Sequence, residues 1–164
     1  MDDPARTRTV TWADPAVYAW RATTASGLEN LKKVIAGELP HAPLAELMGL
    51  TLVEADEGSA VFTATPAEFH YNPAGHVHGG FAASILDSAM GCAVYSTVPL
   101  GSNYTTVEIK VNYLKPITAA TGPVRATARV LHRGRRTAMA EGRLEDASGR
   151  LLAHATTTCL IWDA

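Results

Sequence analysis

Residues 79–95 read GGFAASILDSAMGCAVY, and this stretch decides how the rest of the chain is arranged. It is apolar on nearly every side and too long for a strand. A helix with no polar face must be covered all round, so the reading is a central buried helix. Two features sit oddly in it: the glycine pair at its start and Asp87 in its middle.

Working outward, residues 67–77 form a loop rich in Pro, Gly, Asn and His, preceded by two predicted strands. These are 51–55 and 60–66, joined by the tight turn Asp56-Glu57-Gly58. Beyond the helix come four long predicted strands, 103–115, 122–132, 135–146 and 150–161. Turns fall at Pro116 to Gly122, Arg133-Gly134 and Ala147-Ser148-Gly149. In the first of these strands Thr105, Val107, Ile109, Val111 and Tyr113 alternate with Thr106, Glu108, Lys110 and Asn112, the period of a sheet with two unlike faces. Upstream, 12–37 reads as helical, with Leu28, Leu31 and Ile35 on one face and Gly37 suited to a stop. A short helix over 43–48 could end at Gly49. The class is α+β: an antiparallel sheet wrapped around one long helix, with an N-terminal helical extension.

The 164 residues suit one domain with a real core, and 47% apolar against 18% charged residues is a globular balance. A formal net charge of −2 offers no general attraction to nucleic acid or an anionic membrane, so an anionic ligand would need a local basic patch. The start MDDPARTRTV lacks a secretory pattern, and Phe81 to Val98 is broken by Asp87 and small polar residues, which speaks against a membrane span. Cys92 and Cys159 read as small buried hydrophobes of a reducing compartment. A cytoplasmic protein is expected. The N-terminal aromatics Trp12, Tyr18 and Trp20 read as core or subunit packing.

The chemistry concentrates in His70-Tyr71-Asn72-Pro73-Ala74-Gly75-His76-Val77-His78-Gly79-Gly80-Phe81 and continues to Asp87. Adjacent glycines allow close approach to the backbone, and the first N–H groups of a helix lack internal partners and carry the positive end of its dipole. Such a start can stabilise an oxyanion, or it can be only a tight turn into a packed helix. Gly80, Ser84, Asp87 and Gly91 fall on one face lined by small residues. A carboxylate there is costly unless it is paired or functional. Gly79 and Asp87 are eight positions apart, about 12 Å along a helix. A base or nucleophile must come within about 3 Å of its target, so one chain cannot easily supply both groups to one carbonyl. If both act, a two-fold dimer with two equivalent sites at its interface is required.

Asn72, His78-Gly79-Gly80 and Asp87, followed by Tyr104-Thr105-Thr106-Val107-Glu108-Ile109-Lys110-Val111-Asn112-Tyr113-Leu114-Lys115-Pro116, resemble the hotdog-fold thioesterases. The nearest branch is the phenylacetic-acid-degradation (PaaI) type, related to 4-hydroxybenzoyl-CoA thioesterases. The resemblance covers roughly 45–162, leaving 1–44 as the extension. It implies hydrolysis of an acyl- or aryl-CoA thioester in dimers that often pair into tetramers, with no metal or other cofactor, CoA being part of the substrate. It also implies that Gly79 polarises the carbonyl and that Asn72 orients the acyl group or the water. Asp87 would then act as nucleophile or general base, and Thr106 would position the water, with Thr105 as the fallback. His78 would be structural or orienting. Gly80 would lie against the substrate.

Other readings are weaker. His76 and His78, with His70 near, lack an acidic or Cys ligand at a familiar metal spacing. No Gly-x-Ser-x-Gly elbow, phosphate loop or dinucleotide fingerprint occurs. The cluster His132-Arg133-Gly134-Arg135-Arg136 is either a solvated hairpin or a contact for CoA phosphates, for which Arg forks are suited. A hydroxyacyl-thioester dehydratase using His78 with Asp87, and a non-catalytic acyl-CoA binding module, are the rival functions.

Overall fold

The computed structural model describes residues 5–18 and 24–163. Among the described residues the α-helices α1 (Gly27–Ile35), α2 (Pro43–Met48) and α3 (Gly79–Tyr95) accompany one six-stranded sheet. Its strands are β1 (Leu50–Asp56), β2 (Ser59–Ala64), β3 (Ser102–Tyr113), β4 (Val124–Arg133), β5 (Thr137–Asp146) and β6 (Leu151–Asp163). The spatial order is β1-β2-β4-β5-β6-β3, antiparallel throughout, so β1 and β3 form the edges.

The predicted central helix occupies residues 79–95, and the sheet wraps it. Ile85, Leu86, Ala89, Met90, Ala93 and Val94 are wholly buried. Along most of β4, β5 and β6 alternate residues are buried on the helix side, the alternation breaking where the register shifts. The sheet packs tightly on the helix at Gly142, where an added Cβ would lie 3.0 Å from Met90 Cγ and 3.1 Å from a Leu86 methyl. One stripe of α3 is left only half covered: Gly80, Ser84, Asp87, Ser88, Cys92 and Tyr95. No helix among the described residues is long and apolar enough to cross a membrane.

Two expectations are revised. The helical reading of 12–37 fails over part of the described residues: 11–14 are non-helical, Pro15–Tyr18 make one 3-10 turn, and 25–26 lie outside any helix before α1 begins at Gly27. Ser26 caps it with Glu29 in a reciprocal capping box, a start signal stronger than the apolar periodicity running through it. Gly37, at φ +74°, follows its end as expected. Leu31 faces the core and Ile35 faces out, Val34 taking the inner position. Trp12 is 60% exposed and so belongs to no core within this chain, while Trp20 lies outside the described residues.

The second revision concerns β3. Its register against β6 slips between Thr106 and Glu108, a β-bulge that leaves Val107 57% exposed. Tyr104 and Thr106 therefore share the helix-facing side with Ile109 and Val111, and Thr105 faces away.

Candidate active site

His78 is the N-cap of α3, and its Nδ1 accepts a hydrogen bond from Gly80 N at 2.8 Å. The carbonyl of the same 79–80 peptide accepts from the Tyr113 hydroxyl at 3.2 Å. That peptide is thus held at both ends. The preceding N–H, on Gly79, has no hydrogen-bond partner among the described residues and lies at the positive end of the helix dipole. Gly79 lines a cavity of about 320 Å³ with Val77, Tyr113 and Ile117. A Cβ at Gly79 would meet the Tyr113 ring at 3.1–3.3 Å, so the glycine lets the ring close over the helix start.

The loop before the helix is pinned by Asn72 and His70. Asn72 Oδ1 accepts from Ala74 N at 2.9 Å and from His76 N at 3.3 Å, an Asx turn that shapes the loop. Its carboxamide oxygen is therefore spent on the backbone, leaving the amide nitrogen for any other contact. His70 accepts from Ala67 N at Nδ1 (3.0 Å), which puts the ring proton on Nε2, donated to Met48 O at 3.1 Å. Burial holds its pKa below the usual histidine value. Both nitrogens of His70 and Nδ1 of His78 are thus engaged within the protein. No group of three or more His, Cys, Asp or Glu among the described residues could hold a metal ion.

Asp87 is half-buried on the open stripe of α3, and its Oδ1 accepts from Thr106 Oγ1 at 2.9 Å. Oδ2 has no partner among the described residues. Both residues line a cavity of about 490 Å³. Its other walls come from the N-terminal segment (Leu31, Val34, Leu44), the sheet (Leu52, Phe62) and the tyrosines Tyr95 and Tyr104, which stack with ring centroids 5.4 Å apart. Burial and then the Asp87 charge push the Cys92 thiol, also in this wall, up to about 12, and burial drives the Tyr104 phenol well above its ordinary value. Neither thiol nor phenol ionises near neutrality.

The structure therefore brings Asp87 and Thr106 together and leaves Gly79 in a different cavity, about 12 Å along the helix axis. Asn72 lines neither cavity. Gly80 N–H is occupied by His78. Arg133, Arg135 and Arg136 surround a third cavity, of about 560 Å³, with Ser102 and Asp163. Arg133 Nε donates to Thr97 Oγ1 at 3.2 Å, and the same side chain bonds Gly134 O. The side chains of Arg135 and Arg136 have no ion-pair or hydrogen-bond partner among the described residues. Sequence reasoning missed Tyr113, whose approach to Gly79 depends on how β3 crosses the helix start.

A sequence model described as the thioesterase superfamily matches residues 74–153, the segment that carries Gly79, Asp87 and Thr106. The structure superposes on a phenylacetic acid degradation-related protein of Ralstonia eutropha JMP134 with a TM-score of 0.72 and 30% identity, over 79% of this chain and 98% of that one. The chain belongs to the thioesterase superfamily. Its fold is the hotdog arrangement shared with the PaaI-type thioesterases. The 1,4-dihydroxy-2-naphthoyl-CoA hydrolase of Listeria monocytogenes is 27% identical over 118 residues, 72% of this thioesterase and 94% of that enzyme. A protein of Halobacterium salinarum named as an esterase is 41% identical over 69 residues, 41% of this chain; the alignment spans less than half of that relative's length, 44%.

Proposed function

We propose that this thioesterase hydrolyses acyl- or aryl-CoA thioesters at sites shared by two copies of the chain, with Asp87 as the acting carboxylate. The observation that carries the reading is the Thr106–Asp87 bond in the wall of a largely apolar cavity. One carboxylate oxygen is fixed by Thr106, and the other is left for water or for the thioester carbon. In the family arrangement, Gly79 of the second protomer would donate its N–H to the thioester oxygen as that oxygen gains charge. Water adds to the carbonyl carbon as Asp87 takes its proton, or the carboxylate itself adds and water then cleaves the resulting anhydride. In either course the tetrahedral centre collapses by breaking its C–S bond, and the CoA thiolate leaves without an acid catalyst.

A homodimer joining α3 stripes would bring the two half-sites together. Arg135 and Arg136, whose side chains have no ion-pair or hydrogen-bond partner among the described residues, are suited to the nucleotide phosphates. The engagement of His78 Nδ1 in capping disfavours a dehydratase that would need this ring as its base. Replacing Asp87 with Asn should lower thiol release from acyl-CoA by two or more orders of magnitude, on the scale of losing a positioned acid–base group, with the dimer still folded. Free-thiol detection across aryl-, short- and long-chain acyl-CoAs measures this. Full turnover by the variant would refute the role, and tight binding without thiol release by the wild type would favour a binding module.

A further inference from the structure

We infer that the Asp87 cavity is a blind acyl pocket whose far end is closed by the N-terminal segment, so that the enzyme takes compact apolar acyl groups, a ring or a medium chain, and rejects long fatty chains. This rests on the hydrolase reading above and deepens it. The α3 residues lining the cavity run from Asp87 to Tyr95, a span of about 12 Å. At the Tyr95 end the wall is braced rather than loose. Asn30, 2% exposed, donates from Nδ2 to the Tyr95 hydroxyl at 2.9 Å and to Ala25 O at 3.3 Å. Tyr95 in turn stacks on Tyr104. Gly27 N donates to Val98 O at 3.0 Å, and an added Cβ there would fall 1.8 Å from Tyr95 O, so α1 is seated directly on the end of α3. Leu31 and Val34, one and four positions after Asn30 on α1, then form the side wall. A volume of about 490 Å³ is ample for a small acyl group. An extended long chain would have to displace the braced tyrosine.

The test measures binding and turnover separately. Binding of phenylacetyl-, hexanoyl- and palmitoyl-CoA to the full-length Asp87→Asn protein is followed by calorimetry, and thiol release by the Asp87 enzyme. Each is repeated with Val34→Trp, which narrows the pocket, and Tyr95→Ala, which opens its end. The expected order favours phenylacetyl- and hexanoyl- over palmitoyl-CoA, the two compact probes showing whether ring or chain fits better. Val34→Trp should weaken phenylacetyl-CoA about tenfold or more, a difference within reach of pocket contacts. Tyr95→Ala should improve palmitoyl-CoA relative to hexanoyl-CoA. If Tyr95→Ala does not fold, the Val34→Trp result decides alone. Equal or better use of palmitoyl-CoA by the wild type, or an order that folded variants leave unchanged, overturns the pocket inference. Selective binding without any thiol release overturns the hydrolase reading and leaves the pocket standing; no binding to any of the three overturns both.

Discussion

Thr106 and Tyr113 are seven positions apart, an odd spacing that in a regular strand puts side chains on opposite faces. Both nevertheless act on α3, Thr106 at Asp87 and Tyr113 at Gly79, because the bulge at Val107 shifts the phase between them. The alternation read from sequence placed Thr105 with Ile109 and Tyr113, and the bulge replaces it with Thr106. A bulge is set by pairing with a distant strand, here β6, and leaves no local signature at Val107. The consequence is testable residue by residue. Thr106→Val should lower kcat about tenfold or more by loosening the carboxylate, Thr106→Ser should restore most of it, and Thr105→Val should stay near wild type in the same thiol-release assay.

At the scale of elements, α3 was legible because a run apolar on all sides admits one environment, and its bounds follow from the glycine pair and His78. The N-terminal segment was less so. The segment 12–37 reads as helical, yet 11–14 and 25–26 are not, and α1 is the stretch that Ser26 and Glu29 cap. Gly27 then becomes a packing requirement that composition does not reveal. Gly27→Ala should destabilise the protein by about 1–3 kcal/mol through overpacking, read as a lowered Tm. The loop before α3 carries a pH dependence. His70 is 7% exposed, and its neutral form is bonded at both nitrogens. Its folded pKa lies below the unfolded value, so the unfolded chain binds the proton first on acidification. The stability from neutral His70 is whole above about pH 6.5 and declines as pH falls from there towards the folded pKa. Thermal melts between pH 8 and 5 should show this slope, and His70→Gln should flatten it.

At the scale of the molecule, the uncovered stripe on α3, the edge strand β3 and the separation of Gly79 from Asp87 all bear on assembly. On one chain Gly79 and Asp87 line different cavities, about 12 Å apart along the helix. The spacing of the two residues along the sequence already implied as much, whereas the apolar pocket could not be sized until α1 and β1 were placed around it. Net charge was equally silent about Arg135 and Arg136, which turns rather than composition bring to one cavity. The central claim is that each site draws Gly79 from one protomer and Asp87 from the other. The direct measurement is complementation: Asp87→Asn and Gly79→Val proteins, each inactive alone, are unfolded together, refolded and assayed for thiol release. Shared sites predict recovery to about a quarter of wild-type turnover, because half of randomly mixed dimers are mixed and each of those holds one intact site of two. If each chain built its own site, every site in the mixture would carry one defect, and no recovery at all would contradict the account.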